Sequence, residues 1–392
     1  MRNSLVTSRL NLGSVVPIHR DCSSVSLLAN IVTRASRPCH YKCALPVLGF
    51  ELWFGLNYNL RVPDEFVNPI NASTRICAVY GFPIKHSASP AMQNAGLAAL
   101  GLNWRYIACE VAPENLRAAI EGAKAMRFVG LNLTVPHKLL AVDFVDEFDE
   151  SVKRWGAVNT IRIEGRDKHS TWLPIHQFGD VQPDKIRAHG FNTDAEAITR
   201  SLREDLGIEL GGARVLLLGA GGAGRVAALK LAAENVGELF LVNRTHSKAS
   251  AVAAEIRRRH LNVKIQVGYP RGEVDLCINA TSIGLSPNDP LPLDTRQFSL
   301  RQAHAAYDLI YRPAETLFLQ TAKAGGSKVA NGLGMLLYQG AKALEIWTGQ
   351  SAPISVMREA LTKEVYKQST IHSPQSTVQS PQSTAGGAHT EG

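Results

Sequence analysis

The sequence is poor in the features that mark several large protein classes. Cysteine occurs six times in 392 residues (Cys22, Cys39, Cys43, Cys77, Cys109, Cys277). That is too few and too scattered for a disulfide scaffold, and it reads as free thiols in a reducing compartment. No apolar run reaches the ~18 residues a membrane helix needs; Ala44 to Tyr58 is shorter and carries Glu51. Cys39, His40 and Cys43 have no second ligand pair at zinc spacing, so no metal is expected. No basic run with interleaved aromatics marks a nucleic-acid surface. Acids are nearly missing from residues 1–50, where Arg2, Arg9, Arg20, Arg34, Arg37 and Lys42 face Asp21 alone. That segment supplies +5 of the formal net charge of +8, and residues 51–367 keep +4. The remaining balance suits an anionic small molecule.

What is present is a globular composition, with 45% hydrophobic and 19% charged residues, which excludes disorder of the whole chain. The length suggests two to three domains at ~100–200 residues each, and the motif pattern narrows this to two. Residues 1–73 show no sustained period and read as an unstructured or targeting-like extension; organellar import is the alternative to a cytoplasmic location. From Arg75 the pattern alternates. Strands are expected at Ile76–Tyr80, Trp104–Val111 and Val129–Leu133. Helices are expected at Pro90–Leu100 (Ser89 as N-cap), Pro113–Met126 and Pro136–Phe148. Such alternation predicts a parallel α/β sheet. Residues 166–189, polar and holding His169, His176 and His189, read as a loop insertion with solvated histidines. A second domain begins near Gly211. Its expected strands are Val215–Leu218, Glu238–Val242, Val274–Asn279, Tyr307–Ile310 and Lys328–Ala330. Helices follow the first strand to Ala233 and occupy Met335–Thr348 and Ile354–Tyr366. The tail repeats a Ser-Pro-Gln-Ser-Thr unit, a composition that cannot bury a core.

Gly219-Ala220-Gly221-Gly222-Ala223-Gly224 fits G-x-G-x-x-G between a strand and a helix, the context that gives the motif meaning. Gly219 permits the turn, Gly221 lets backbone approach a pyrophosphate, and Gly224 allows close helix packing. The helix N-terminus offers N–H donors to the phosphates. The end of the next strand lacks the acid that usually binds the ribose 2′-hydroxyl. Asn243-Arg244-Thr245-His246-Ser247-Lys248 stands there instead. Arg244 and Lys248 suit a 2′-phosphate, and the Arg244 guanidinium can stack on adenine. The cofactor inferred is NADP rather than NAD.

Polar clusters close other strands, where open α/β sheets bind ligands. They are Ser87-Ala88-Ser89, Asn132-Leu133-Thr134-Val135-Pro136-His137-Lys138, Asn159-Thr160 and Asn192-Thr193-Asp194. Lys138 reads as a first-turn lysine, where a cation is unfavourable; the misplacement hints at function. Together with the glycine loop, Asn279-Ala280-Thr281-Ser282, Tyr307-Asp308 and Gly332-Leu333-Gly334-Met335, these clusters resemble the shikimate dehydrogenase family from about Ile76 to Leu361, apart from residues 166–189. The resemblance implies an N-terminal open α/β substrate domain, a C-terminal Rossmann-type NADP-binding domain and a cleft between them. The substrate domain would span 74–205, completed by helices in 336–366, and the NADP domain 206–335. The implied activity is reversible NADPH-dependent reduction of 3-dehydroshikimate to shikimate, within aromatic amino-acid biosynthesis. Ser87 and Ser89 would hold the substrate carboxylate. Asn132, Thr134, Asn159 and Gln339 would bind ring hydroxyls, with Tyr311 in contact. Lys138 and Asp194 would form the catalytic pair. Gly219 to Ala223, Asn243 to Lys248, Leu309, Gly332 and Glu150 would line NADP. Monomer and homodimer both fit. A quinate/shikimate dehydrogenase using NAD or both cofactors, and a non-catalytic NADP-binding module, are the alternatives.

Overall fold

The computed structural model describes residues 69–366. The extension up to residue 68, with Cys39, His40, Cys43 and the apolar run, and the Ser/Pro/Gln tail from 368 lie outside the described residues. The chain runs β1 (Arg75–Gly81), α1 (Ser89–Ala99), β2 (Trp104–Glu110), α2 (Leu116–Ala125), β3 (Gly130–Leu133) and a short α3 (His137–Leu140). It continues through β4 (Glu147–Phe148), α4 (Glu150–Trp155), β5 (Thr160–Arg166), β6 (Trp172–Pro174) and β7 (Lys185–Phe191). Then α5 (Asp194–Leu206) leads to β8 (Arg214–Leu218), α6 (Gly222–Ala233), β9 (Glu238–Val242), α7 (His246–Arg259), β10 (Lys264–Val267) and β11 (Val274–Asn279). Last come β12 (Ala303–Asp308), α8 (Leu317–Ala324), β13 (Lys328–Asn331), α9 (Leu333–Thr348) and α10 (Ile354–Tyr366).

Two sheets result. The first has the order β2-β1-β3-β5-β7-β4, with β6 beside β5. The second has the order β10-β9-β8-β11-β12-β13 and is parallel throughout. Its order reverses between β8 and β11, the switch point at which doubly wound sheets take a dinucleotide. Alternation along each strand feeds two faces. On β1, Cys77 and Val79 pack with α1, α9 and α10, while Ala78 and Tyr80 pack with α2 on the other side. On β8, Val215 and Leu217 face α5 and α6; Leu216 and Leu218 face the cluster holding Phe298 and Phe318. Burial of each such Leu or Val contributes about 1.5–3 kcal/mol. The Trp347 indole N–H donates to Ile161 O at 2.9 Å, so α9 is fixed to the middle of the first sheet. Burial sets which side of helix α2 packs inward: Leu116, Ile120 and Ala123 are its buried face, spaced as one side of a helix.

Four expectations need correction. The first sheet is mixed, because β5 runs antiparallel to β3, β6 and β7. The helix expected over Pro136–Phe148 ends at Leu140 and gives way to a 3-10 turn and β4. The Asp146 carboxylate accepts from the Ala188 N–H at 2.7 Å, which holds the chain extended against β7. Residues 166–189 are not a loop: β6 and most of β7 lie there, and β7 pairs along β5 from Thr160↔Phe191 to Arg166↔Lys185. Polar side chains at Lys185, Arg187 and His189 hide this strand's apolar period, and two of them, Arg187 and His189, bind the buried Glu164 on β5. Of the three histidines, only His169 is exposed; His176 packs on Trp104 with ring centres 5.0 Å apart. Finally, Ser89 does not cap α1. The helix begins at Ser89 itself, and the Ser87 hydroxyl accepts from the Ser89 N–H at 3.3 Å.

Candidate active site

The polar clusters at the ends of β1, β3, β5 and β7 meet in one hydrogen-bonded chain. Lys138 lies in α3 and Asp194 opens α5; Lys138 Nζ donates to Asp194 Oδ2 at 2.7 Å. The lysine side chain is 21% exposed and the aspartate 3%, so the ammonium faces the open side of the pair. Asp194 Oδ1 accepts from Asn159 Nδ2 at 2.9 Å, and the second proton of that amide goes to Thr193 Oγ1, also at 2.9 Å. Asn132 Nδ2 donates to Thr160 Oγ1 at 3.0 Å and Asn159 O at 3.3 Å. Asn132 Oδ1 accepts from the Tyr106 hydroxyl at 2.7 Å, and that hydroxyl is also bonded to Ser89. Burial pushes the Tyr106 phenol well up, so it stays a neutral donor. The phenol of Tyr311, from beyond β12, is hydrogen-bonded to the Ala88 backbone between the two serines.

Backbone contacts fix the frame. Val158 N–H donates to Lys138 O at 2.9 Å, and Asn192 Nδ2 donates to Ala157 O at 3.0 Å. Asn192 Oδ1 also accepts from Ala195 N–H at 3.2 Å, which satisfies a free donor at the start of α5. Thr134 borders Gly81, and Gln339 donates to Leu336 O at 2.8 Å. Among the described residues, neither joins the network. Tyr106, Thr160 and Thr193 were not assigned from sequence. Their hydrogen-bonding duties depend on neighbours far along the chain; Thr160 and Thr193 lie within the polar clusters, whereas no local signal marks Tyr106.

The second cluster surrounds the loop after β8. Gly219 has φ +106°, and a Cβ there would stand 2.8 Å from Ala280 O. A Cβ on Gly224 would stand 2.2 Å from Gly219 O, so glycine is required for the helix to approach the turn. At Gly221 and Gly222 the space beside Cα is open. The Ala220 N–H donates to Asn243 Oδ1 at 2.9 Å, and Asn243 Nδ2 donates to Thr245 O at 2.8 Å. Asn243 thus ties the loop to the segment after β9. Arg244, Thr245, His246, Ser247 and Lys248 are exposed. His246 meets Ser250 at 3.2 Å, whereas Arg244 and Lys248 form no ion pair among the described residues. Leu309 and Gly332 are adjacent across the ends of β12 and β13, a Cβ on Gly332 falling 2.1 Å from Leu309 O. Glu150 is exposed and pairs with Lys153 at 2.8 Å; it makes no hydrogen bond to the glycine loop. An open cradle of backbone N–H groups beside two unneutralised cations fits a dinucleotide with an additional phosphate.

Three family models match parts of the chain. Residues 79–161 match the family model described as the shikimate dehydrogenase substrate binding domain. Residues 201–282 match shikimate / quinate 5-dehydrogenase, and 332–362 the shikimate 5'-dehydrogenase C-terminal domain. The shikimate dehydrogenase (NADP(+)) of Methanocaldococcus jannaschii is 40% identical over 305 residues, covering 76% of this chain and all of the relative. The chain belongs to the shikimate dehydrogenase family. Another member, the shikimate dehydrogenase (NADP(+)) of Desulforamulus reducens, is 38% identical over 306 residues, covering 76% of this chain and 98% of the relative. A shikimate dehydrogenase solved in complex with NADP+ superposes with a TM-score of 0.64 at 37% identity, covering 76% of this chain and 98% of that one. The family's two-part plan, a substrate domain followed by an NADP-binding domain, is the arrangement of the two sheets here. Among the described residues no helix is long and apolar enough to cross a membrane.

Proposed function

We propose that the chain is an NADP-dependent shikimate dehydrogenase that interconverts 3-dehydroshikimate and shikimate, with Lys138 and Asp194 as its acid–base pair. The observation that carries the mechanism is the 2.7 Å contact between the partly exposed Lys138 ammonium and the buried Asp194 carboxylate. Bound NADPH supplies a hydride to the ketone carbon of the substrate. The ketone oxygen then needs a proton, and the Lys138 ammonium donates it; in the reverse direction Lys138 accepts it. Asp194, held on its other oxygen by Asn159, orients the lysine and receives a substrate hydroxyl. Ser87 and Ser89 place two hydroxyls where the substrate carboxylate docks, and Tyr311 closes beside them. Asn132, Asn159, Thr134 and Gln339 line the ring. Residues 206–335 would form the cofactor part, and residues 74–205 with α9 and α10 the substrate part. Retention of the full polar chain from Ser89 to Lys138 supports an enzyme rather than an inert NADP-binding module.

The reading places the enzyme in the synthesis of aromatic precursors, in the cytoplasm. Its test is absorbance at 340 nm with purified protein, shikimate and NADP. NADPH should appear, and substitution of quinate or NAD should lower kcat/KM. Binding of NADP without turnover of shikimate would overturn the proposal.

A further inference from the structure

Arg225 directly follows the glycine loop, in the first turn of α6. A cation there opposes the helix dipole and stands near the place of the cofactor phosphates. Its side chain turns away from both. Nη1 donates to Trp155 O at 2.6 Å, the last residue of α4. Nη2 and Nε grip Glu255 of α7 at 2.9 and 3.2 Å. Glu255 also holds Arg259 at 2.8 Å, and Arg259 donates to Arg154 O at 2.6 Å. Two arginines from the dinucleotide part therefore cap the C-terminal carbonyls of a helix in the substrate part, with one glutamate between them. Cations at a helix C-terminus complete its free carbonyls and its dipole.

The capped segment leads straight into the acid–base frame. Gly156 lies under the Arg225 guanidinium. Ala157 O is held by Asn192, Val158 N–H by Lys138 O, and Asn159 holds Asp194. Two residues thus separate the clasp from the backbone that carries Asn159 and fixes Lys138. We propose that Arg225 is a positioning residue, which with Glu255 registers the 154–159 segment to the helix that receives the cofactor diphosphate. Cofactor binding and the alignment of Lys138 with Asp194 are coupled through it. The inference rests on the dehydrogenase reading, and wild type run alongside separates the two: no NADPH from wild type would sink that reading, not this one.

The test compares wild type with R225Q, R225K and E255Q, each checked by thermal unfolding. R225Q should lower kcat by roughly 10- to 100-fold, the size expected from an ångström-scale misalignment, with the affinity for NADP in the absence of shikimate changed less than about threefold. R225K, which keeps one donor, should recover part of the loss. Calorimetry supplies a readout independent of turnover. In wild type, saturating NADP should change shikimate affinity by about fivefold or more, the scale of ordinary coupling between sites; in R225Q the ratio should fall towards one. Should R225Q fail to fold, E255Q carries the same test with smaller shifts in the same direction. Wild-type kcat and a wild-type affinity ratio in a folded R225Q or E255Q would overturn the proposal.

Discussion

At the strand ends of the first sheet, Asn132, Asn159, Thr193 and Asp194 are buried, and both amide protons of each asparagine are already committed to protein oxygens. On the second, Arg244 and Lys248 stand exposed without partners among the described residues. On the proposed function both regions recognise a ligand, yet one is built in advance and the other waits for charge. The difference follows from what each must do. Proton transfer needs groups fixed at hydrogen-bonding distance before the substrate arrives. A phosphate needs only accessible cations and N–H donors, because its own charge orders them.

The same contrast holds for two buried carboxylates. Burial alone would raise the pKa of Glu164, but hydrogen bonds from His189, Arg162 and Arg187 outweigh it and hold the group at about 2. Asp308 has only neutral donors, from Thr316, Ile310 and Asn279, and burial pushes it up to about 6. One sheet binds its carboxylate as an anion; the other keeps its carboxylate ready to take a proton.

The comparison can be broken at several points. The largest effect should come from Lys138→Ala, which removes the proton donor: kcat falls about 10²–10⁴-fold with a smaller change in KM, measured by NADPH formation at saturating substrates. If kcat stays near wild type, Lys138 has no part in the chemistry. Next is Arg244→Ser. Loss of one charge-assisted bond to the 2′-phosphate, about 1.5–3 kcal/mol, should raise the KM for NADP by at least about tenfold. The KM for NAD should stay unchanged, and the effect should shrink as salt rises. An equal rise for both cofactors would show that Arg244 does not read the phosphate.

A glycine pair separates folding from binding. Gly221→Ala adds a methyl into open space, so the melting temperature should hold while NADP affinity drops several-fold. Gly224→Ala drives its methyl into Gly219 O and should lower the melting temperature itself. The smallest effects concern pH. Glu164 has a lowered pKa, so its stabilisation is present above about 4.5 and is lost as pH falls towards 2. Glu164→Gln should flatten that acid limb. Asp308 has a raised pKa, so stability is greater with the proton on and declines as pH climbs from about 4 to about 6. Asp308→Asn should remove that decline. Denaturant titrations across pH 2–7 would check both, and parallel curves for a variant and wild type would refute the assignment.

Contiguous signals were legible in the sequence. Glu238–Val242, Val274–Asn279 and Ile354–Tyr366 fall where apolar periodicity placed them, and the glycine loop is strand, turn and helix in one stretch. The misreadings have a common cause. β7 carries Lys185, Arg187 and His189 in place of a strand's apolar period, because the carboxylate that binds two of them sits on β5. The helix after Pro136 stops early because Asp146 serves a backbone donor of β7. In both cases a partner distant in sequence overrides local preference. The site divides in the same way. Lys138 and Asp194 could be picked out, and the structure brings them together. Tyr106 and Arg225 could not be assigned, since their value lies in what they touch: Asn132 for one, Trp155 O for the other. A cation in a first turn points to function at Lys138, and the same signal is present at Arg225.

The path of α9 and α10 back onto the first sheet has a consequence for synthesis. During translation, β1 to β7 leave the ribosome well before Trp347 and Met357, whose side chains complete the core over Cys77, Val79 and Trp104. At ~5–20 residues per second, that apolar face stays uncovered on the order of ten seconds. A nascent chain halted in the dinucleotide part would present it to solvent, and hence to chaperones. The two helices at the end of the described chain are the step that closes the half made first.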